Sequence, residues 1–202
     1  MGARIILFDL GNVVVDWQPL HLYKKIFKTE QEAKAFCETI CTMDWHIQHD
    51  LGVPMSQNAE HLIAKHPQYE AEIRAWRSRW LDMFVGYVEG MPALMARLEE
   101  ARHPLYGLSN LSYEVAGETF DAFPMIKVLR DIVISGAEKC IKPNPKIYQI
   151  ALRRMGRPNP GDVFFIDDRA ENIEAAARLG MRGHVFTDAV SLERALVSEG
   201  FL

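Results

Sequence analysis

The sequence predicts an α/β protein built on an open, doubly wound parallel sheet of the Rossmann type. Three observations support this fold class. Short apolar runs recur along the chain, each run ends in a turn residue, and a stretch with helical periodicity follows it. Runs that are apolar throughout are typical of strands buried on both faces, as in a parallel sheet. Alternation of such strands with helices is typical of doubly wound folds.

Five of these runs are predicted as strands. In chain order they are Ile5 to Phe8, Pro104 to Leu108, Ile132 to Ile134, Val163 to Ile166, and Gly183 to Phe186. Two of the helices between them are marked by their ends. Pro145 suits the first turn of a helix that stops before Gly156. The Ala- and Glu-rich stretch from Asn172 to Leu179 predicts a second helix, because Gly180 behind it suits a left-handed C-terminal position.

One stretch directly after the first strand breaks the alternation. Between about Trp17 and Tyr87 no convincing strand is found, and the hydrophobic periodicity is helical. The helical patterns cover Leu22 to Phe27, Glu30 to Ile40, and Ile73 to Phe84. We therefore expect a small, all-helical cap of residues 17–87, set over the strand ends. The core domain then comprises residues 1–16 and 88–202.

Charge and cysteine content narrow the function classes. The 202 residues include 23 Lys and Arg against 27 Asp and Glu, so the formal net charge is −4. A chain so balanced lacks the basic surface that nucleic acids and anionic membranes attract. Its three cysteines are odd in number and form no CxxC pair, which indicates reduced thiols. We expect a cytoplasmic protein that acts on a small molecule and has no nucleic-acid or membrane partner.

Polar residues follow the predicted strands at the edge where an open parallel sheet binds its ligands, outside the carboxyl ends of the strands. Three of them are carboxylates, and because neighbouring carboxylates repel each other, bringing them together needs a cation. Carboxylate oxygens without a nearby Cys or His ligand favour a hard ion, and Mg²⁺ is the one we expect. Such an ion suits a phosphorylated substrate, since it bridges protein and phosphate oxygens. These polar residues are Asp9, Asn12, Ser109, Asn110, Lys142, Asp167 and Asp168.

The pattern suits phosphoryl transfer. With an ordinary pKa of about 3.9, Asp9 would be ionised at neutral pH and would attack phosphorus without a general base, forming an aspartyl-phosphate that water hydrolyses. Ser109 would donate a hydrogen bond to a phosphoryl oxygen, and Lys142 would neutralise negative charge. Taken singly, these residues have ordinary structural explanations as turn residues, helix N-caps or solvated charges. Their joint order on this strand pattern favours a functional site.

Four motifs carry these residues and together resemble those of the haloacid dehalogenase superfamily. The motifs are Phe8-Asp9-Leu10-Gly11-Asn12-Val13-Val14, Leu108-Ser109-Asn110, Ile141-Lys142-Pro143-Asn144-Pro145-Lys146-Ile147-Tyr148, and Phe165-Ile166-Asp167-Asp168 with Asn172 and Gly180. The resemblance covers the sheet domain from end to end and implies a core of five parallel strands. It also implies that the insert is a helical cap of the kind found between the first two motifs. The combination of motifs is specific, whereas Asp9-Leu10-Gly11 alone would not be.

The resemblance implies a role for each site residue. Asp9 is the nucleophile, and Asp9, the carbonyl oxygen of Gly11, and Asp168 are the protein's Mg²⁺ ligands. Asp167 acts beside the metal, through water or by positioning, with Asn172 as a further supporting group. The implied activity is that of a Mg²⁺-dependent phosphatase acting on a small phosphorylated metabolite. The residues that bind this substrate are Ser109, Asn110 and Lys142.

One position departs from the family's pattern. Phosphatases of this family usually carry a second Asp two residues after the nucleophile, which protonates the leaving oxygen, and here that position is Gly11. Such a general acid typically contributes about 10²–10⁴ in rate. Three explanations are open. The chain prefers leaving groups that need little protonation, or its cap supplies the acid, with His49 and Asp50 as first candidates. The third is that the protein is a weak catalyst. Relatives with the same Asp-Leu-Gly-Asn turn are sugar-phosphate phosphatases, which favours the first explanation and a substrate such as a sugar-1-phosphate or an acyl phosphate.

Two other functions stay open. The first is the metal-independent 2-haloacid dehalogenation that names the superfamily, although the adjacent carboxylates Asp167 and Asp168 would be repulsive and without use in that reaction. The second is a catalytically weak binding or regulatory protein, with Gly11 as the mark of lost chemistry. The presence of Asp9 and Lys142 beside the later carboxylates argues against it.

Overall fold

A five-stranded parallel sheet forms the centre of the protein, for which a computed structural model describes residues 5–202. The strands of the described chain are β1 (Ile5–Phe8), β2 (Val15–Trp17), β3 (Phe84–Tyr87), β4 (Leu105–Ser109), β5 (Ile132–Ile134), β6 (Val163–Asp167) and β7 (Arg182–Val185). Across the parallel sheet the order is β5-β4-β1-β6-β7. All five predicted strands are confirmed, with ends that differ by at most one residue. Residues 1–4 of the predicted core domain lie outside the described residues.

Helices surround this sheet and build the insert. They are α1 (Pro19–Tyr23), α2 (Glu30–Thr39), α3 (Met43–Asp50), α4 (Met55–Ile63), α5 (Glu70–Ser78), α6 (Met91–Glu100), α7 (Tyr113–Ala122), α8 (Ser135–Glu138), α9 (Pro145–Arg154), α10 (Ala170–Ala177) and α11 (Ala189–Ser198). Helices α1 to α5 belong to the insert, and the later ones belong to the core. Within residues 5–202, no helix combines the length and the apolar character that crossing a membrane requires.

Strand β1 is apolar along its whole length because it has a neighbouring strand on each edge and helices over each face. Successive side chains of a strand point to opposite faces, so that β1 contributes to two separate cores. Ile6 and Phe8 join a buried cluster with residues of α6 and α11, whereas Leu7 joins one with residues of α9 and α10. All three side chains are fully buried. The sheet is therefore the middle layer of three.

The register of the central strands aligns their carboxyl ends. Phe8 pairs with Gly107 of β4 on one side and with Ile166 of β6 on the other. The amide of Asp9 then donates to the carbonyl oxygen of Ile166 at 2.8 Å. The residues that directly follow β1, β4 and β6 consequently meet at one edge of the sheet, as the sequence predicts for the site.

The insert is helical for most of its length, but the prediction that it contains no strand is wrong. Strands β2 and β3 pair antiparallel where the chain leaves the core and where it returns. Val15 pairs with Tyr87, and Asp16 pairs with Gly86. Strands of three and four residues are too short to show an alternating pattern, and Phe84 continues the helical pattern that precedes it. Their pairing depends on tertiary contact between distant segments, which local pattern does not report.

The insert packs directly against the core helix α7. Trp76 and Trp80 of the insert share a buried apolar cluster with Leu111 and Val115 of the core. The indole Nε1 of Trp80 also donates to Thr119 Oγ1 at 2.9 Å, and both side chains are buried. Apolar burial and a satisfied buried donor together hold the cap on the core.

A second contact joins the end of α3 to the start of α8. Ser135 Oγ donates to the main-chain oxygen of Asp50 at 2.7 Å and accepts from the amide of Leu111 at 3.0 Å. Gly52, two residues further on, has a φ of +88°, and a Cβ at this position would lie 2.5 Å from the carbonyl oxygen of Gly136. Cap and core backbones thus touch here, with no room for a side chain between them.

We expect Gly52→Ala to destabilise the protein more than Gly156→Ala. Gly156 has nearly the same φ, +85°, but a Cβ there meets no atom within 4 Å. Both substitutions carry the cost of a left-handed alanine, about 1–2 kcal/mol. Only Gly52→Ala adds the overlap with Gly136, roughly 1–3 kcal/mol more. Urea unfolding of the two variants measures the difference, and equal losses would contradict a tight cap–core contact.

Candidate active site

A tight turn after β1 presents Asp9 and Gly11 at the edge of the sheet. The carbonyl oxygen of Leu10 accepts from the amide of Val15 at 3.0 Å, and the amide of Asn12 donates to the carbonyl oxygen of Val15 at 2.7 Å. Asn12 has a φ of 58°, in the left-handed region that Asn enters more readily than most residues. The Asp-Leu-Gly-Asn sequence therefore matches a turn whose last position needs a left-handed residue.

Asp9 is buried, and its two carboxylate oxygens have different surroundings. Oδ1 accepts from the amide of Leu10 at 2.7 Å and from Lys142 Nζ at 2.8 Å, whereas Oδ2 has no hydrogen-bond partner within the described chain. Burial raises the pKa of Asp9 to about 8, and the charge of Asp167 adds to the rise while Lys142 opposes it. The ordinary pKa expected from sequence is wrong for this residue, because sequence does not report burial. A further cation would restore the ionised form.

Lys142 is the positive charge of this centre. Its buried Nζ lies 2.8 Å from Asp9 Oδ1 and 2.7 Å from Asp167 Oδ2. Burial alone would lower the pKa of Lys142, but the two carboxylates raise it above its ordinary value. Asn110 holds the backbone of this lysine: its Oδ1 accepts from the Lys142 amide at 2.8 Å, and its Nδ2 donates to the Lys142 carbonyl oxygen at 3.2 Å. The predicted substrate contact of Asn110 stays a prediction, whereas its contact with Lys142 was not foreseen.

Asp167 is fully buried, and both of its oxygens are occupied. Oδ2 accepts from Lys142, and Oδ1 accepts from the amide of Arg169 at 2.9 Å and from Asn172 Nδ2 at 2.8 Å. These contacts orient the ammonium group toward Asp9 and order the loop after β6. These contacts suit the predicted positioning role of Asp167 beside the metal, which stays a prediction.

Oxygen atoms of three residues at this edge make no hydrogen bond or ion pair with another residue of the described chain. Carboxylate oxygens of Asp9, Asp167 and Asp168 lie within 4.8 Å of one another. The half-buried Asp168 forms no ion pair with another described residue, and burial and the charge of Asp167 raise its pKa. The carbonyl oxygen of Gly11 likewise accepts no hydrogen bond from residues 5–202. Asp9 Oδ2, Asp168 and the Gly11 oxygen thus form a set of hard donors that fits a divalent cation such as Mg²⁺.

Ser109 ends strand β4 beside this acidic cluster. It is buried, and its hydroxyl makes no hydrogen bond to another residue of the described chain. It lines the same pocket as Asp9 and Lys142. A hydroxyl in this position is free to donate to an oxygen of a bound anion, as predicted, and the register of β4 against β1 explains why it lies there.

The pocket above these residues has a volume of about 510 Å³, in the range of small-molecule sites. The core contributes its floor, and the cap contributes the opposite wall. Lining residues that the sequence prediction included are Asp9, Gly11, Asp50, Ser109, Asn110, Lys142, Asp168 and Asn172. Those that it missed include Trp17, His46, Ile47, Trp80, Phe84 and Arg169.

His49 and Asp50 were the first candidates for an acid supplied by the cap, and only Asp50 reaches the pocket. His49 lines a different, mainly apolar recess between cap helices, and its Nε2 lies 2.9 Å from Asn58 Nδ2. The histidine on the pocket side is His46, whose Nε2 lies 3.3 Å from Asp50 Oδ2. Helical spacing would have found it, because residues four apart share a helix face and adjacent residues do not.

The layered α/β fold, the strand-end aspartate beside its buried lysine, and the helical cap define an enzyme that works at the carboxyl edge of a parallel sheet. Residues 3–180 match the model of the haloacid dehalogenase-like hydrolase family. The chain belongs to this family and is a hydrolase, which confirms the resemblance found in its motifs.

Two curated relatives match parts of the chain. Mouse (Mus musculus) acyl-CoA dehydrogenase family member 10 is 33% identical over 75 residues, which cover 37% of this chain and 7% of the relative. Flavin mononucleotide hydrolase 1 of Arabidopsis thaliana, a chloroplast protein, is 28% identical over 116 residues. These residues cover 56% of this chain and 46% of the relative. The aligned part of this chain thus spans less than half of the length of either relative.

Two solved structures share the fold over nearly the whole chain. A HAD family enzyme from Bacteroides thetaiotaomicron, in complex with magnesium and inorganic phosphate, has a TM-score of 0.72 at 22% identity and covers 93% of this chain and 96% of its own. L-2-haloacid dehalogenase from Xanthobacter autotrophicus has a TM-score of 0.66 at 16% identity, with 100% and 85% covered. At such identities the likeness shows the fold alone.

We predict that Lys142→Met destabilises the protein by about 3 kcal/mol or more, because it leaves two buried carboxylates without their cation. Adding Asp167→Asn should recover part of this loss, since a neutral amide no longer needs the ammonium group. The measurement is a double-mutant cycle by urea unfolding, with a coupling energy of roughly 1–3 kcal/mol expected.

Lys127→Met is the matched control for this cycle. Lys127 pairs with Asp121 at 2.8 Å, but both side chains are exposed. Removing an exposed pair should change stability by about 1 kcal/mol or less. If Lys142→Met were as mild as this control, Lys142 would not be the charge that holds the centre together.

Proposed function

We propose that the protein is a Mg²⁺-dependent phosphomonoester hydrolase that acts through an aspartyl-phosphate intermediate on a small phosphorylated metabolite. The observation that carries this proposal is the arrangement around Asp9: Lys142 contacts its Oδ1, Oδ2 has no hydrogen-bond partner within the described chain, and Asp168 and Gly11 line the same pocket. The names of the relatives add support, since one of them is a flavin mononucleotide hydrolase. The Bacteroides neighbour bound magnesium and inorganic phosphate.

The residues of this chain account for each part of the reaction. The Asp9 carboxylate forms a bond to phosphorus through one of its oxygens while the bond to the leaving oxygen breaks, and that oxygen takes its proton from solvent. Water then attacks the phosphorus of the aspartyl-phosphate, releases inorganic phosphate and regenerates Asp9. Ser109 donates to a phosphoryl oxygen. Lys142 Nζ has three N–H groups. Two of them donate hydrogen bonds to Asp9 and Asp167, and the third can donate to the phosphoryl group.

A divalent cation would be held by Asp9 Oδ2, Asp168 and the carbonyl oxygen of Gly11. When bound, it supplies positive charge that offsets the repulsion between the Asp9 carboxylate and an anionic ester. Burial raises the pKa of Asp9, and a bound cation would favour its ionised form. Lys142 contacts Oδ1 of this carboxylate, and the cation would add positive charge at Oδ2.

Two alternatives are less well supported. A metal-independent dehalogenase would gain nothing from oxygens of Asp9, Asp167 and Asp168 within 4.8 Å of one another, although the Xanthobacter enzyme shares the fold. A binding or regulatory protein without chemistry would not need an Asp9 oxygen left free beside a buried Lys142. The ion pairs in this centre are costly to bury, which favours a catalytic use.

The leaving group follows from Gly11. Glycine itself supplies no acid, and a Cβ at this position would meet no atom within 4 Å. A substrate whose leaving oxygen needs little protonation, such as a sugar-1-phosphate, fits this arrangement best.

A cytoplasmic location is supported by the free Cys37, Cys41 and Cys140, which a reducing compartment preserves. We propose neither nucleic acid nor membrane as a partner.

Asp9→Asn should lower hydrolysis of p-nitrophenyl phosphate by at least about 10³-fold, because an amide is no nucleophile toward phosphorus. Chelation of metal from the wild-type protein should abolish turnover, and added Mg²⁺ should restore it. Asp121→Asn, which removes an exposed carboxylate far from the pocket, is the control. Undiminished phosphate release by Asp9→Asn, or turnover of a 2-haloacid that resists chelation, would refute the proposal.

Because Gly11 supplies no acid, we expect the rate of hydrolysis to depend steeply on the leaving group. Wild-type protein should hydrolyse anomeric sugar phosphates far faster than phosphates of simple alcohols, and a flat profile would remove the basis for a sugar-1-phosphate. Gly11→Asp should narrow the gap, because the site has room for the new side chain. We expect a gain of at least roughly 10-fold on poor leaving groups, measured as kcat/KM, and no gain on p-nitrophenyl phosphate.

A further inference from the structure

Three residues that line the pocket from the cap side each carry a buried polar atom with no hydrogen-bond partner within residues 5–202. These atoms are Trp17 Nε1, His46 Nδ1 and Asp50 Oδ1, and all three residues line the pocket above Asp9. The side chains of His46 and Asp50 are more than nine-tenths buried. Buried polar atoms in native proteins are almost always satisfied, so three of them on one pocket wall point to a polar ligand.

These three side chains form a rigid unit. His46 and Asp50 lie one turn apart on α3, and their contact of 3.3 Å occupies His46 Nε2 and Asp50 Oδ2, which leaves one polar atom on each. The Trp17 ring packs on the His46 ring with centroids 5.1 Å apart, and on the Trp80 ring at 5.8 Å. Ser135 fixes the end of α3 through the Asp50 carbonyl oxygen. The unpaired atoms are therefore held in place before any ligand arrives.

The wall carries no positive charge that would attract a second anionic group. Burial and the neighbouring His49 lower the pKa of His46 to about 3, so His46 is neutral. Burial raises the pKa of Asp50 to about 7, and Lys142 opposes this rise. The cationic side chains that line the pocket, Lys142 and Arg169, both belong to the core. The cap end is lined by the carboxyl groups of Asp44 and Asp50 and by no Lys or Arg of the described chain, so it suits an uncharged group rather than a second anionic one.

We propose that Trp17, His46 and Asp50 form a subsite that binds the hydroxyl groups of a polyhydroxylated, uncharged leaving group, such as a monosaccharide. This inference rests on the proposed phosphatase function. An indole N–H donates a hydrogen bond, a carboxyl oxygen accepts one, and a hydroxyl group can do both. Sugar hydroxyl groups therefore supply hydrogen-bond partners for the unpartnered atoms of these side chains. The apolar faces of Trp17, Trp80 and Phe84 in the same pocket suit the C–H surfaces of a sugar ring.

The test compares glucose 1-phosphate with cyclohexyl phosphate, which share a six-membered ring and differ in hydroxyl groups. Trp17→Phe removes the Nε1 donor and keeps an aromatic ring, and Asp50→Leu removes the acceptor. Each should lower kcat/KM for glucose 1-phosphate by roughly 10- to 100-fold, the usual effect of leaving a buried hydroxyl unpaired. Turnover of cyclohexyl phosphate should be unchanged or faster. Gln48→Leu, on the exposed side of the same helix and outside the lining of the pocket, is the matched control and should change neither.

Other outcomes overturn the subsite. Equal losses on both substrates would mean that the wall does not bind hydroxyl groups. A larger loss on cyclohexyl phosphate would make Asp50 the missing acid instead, since the more basic leaving group needs the proton more. If Asp50→Leu does not fold, Trp17→Phe carries the same comparison.

Failure of the phosphatase function itself would be recognised separately, by the absence of turnover of every phosphate ester, p-nitrophenyl phosphate included. Calorimetric binding of the two phosphates to wild type and variants then decides the subsite. Tighter binding of glucose 1-phosphate that Trp17→Phe abolishes would support it, and equal binding of both phosphates would refute it.

Discussion

The buried ammonium group of Lys142 is the interaction on which the catalytic centre depends. Asp9 follows β1 and Asp167 ends the adjacent β6, so the sheet brings two buried carboxylates together at its edge. Lys142 lies between them at 2.8 and 2.7 Å and makes their burial tolerable. With Asp168, three carboxylates and one ammonium group carry a formal charge of −2 when all are ionised, which one divalent cation balances. Burial itself raises the pKa of Asp9, Lys142 opposes the rise, and the charge of Asp167 adds to it.

Much of the fold and the centre followed from local sequence, for a physical reason. Strands buried on both faces must be apolar, and their ends must carry the residues that the sheet edge uses, so Asp9, Ser109 and Asp167 were recognisable by position. The short strands β2 and β3 were not recognisable from sequence, because their pairing is created by tertiary contact. The pKa of Asp9 was missed for a related reason: an ordinary value assumes contact with water, and burial is a property of the whole fold.

The cap was the part that sequence described least well. Helical patterns were predicted over parts of α1, α2 and α5, whereas α3 and α4 were not foreseen, and His49 was named where His46 lies. Which face of α3 meets the core is decided by contacts such as that of Ser135 with the Asp50 carbonyl oxygen. Such contacts join residues far apart in the chain. A spacing argument from Asp50 alone would have selected His46, since the two are four residues apart on one helix.

The division between core and cap also explains how this chain can lack an acid at Gly11. The core groups act on the phosphoryl end of the substrate, where Asp9, Lys142 and Asp168 line the pocket. A Cβ at Gly11 would meet no atom within 4 Å. A leaving oxygen without a proton donor departs readily only when its alcohol is itself acidic, as an anomeric hydroxyl is. The cap wall, with unpaired Trp17 Nε1 and Asp50 Oδ1 beside aromatic faces, suits the ring to which an anomeric oxygen belongs. The absent acid and the polar wall are independent features, and they point to the same kind of leaving group.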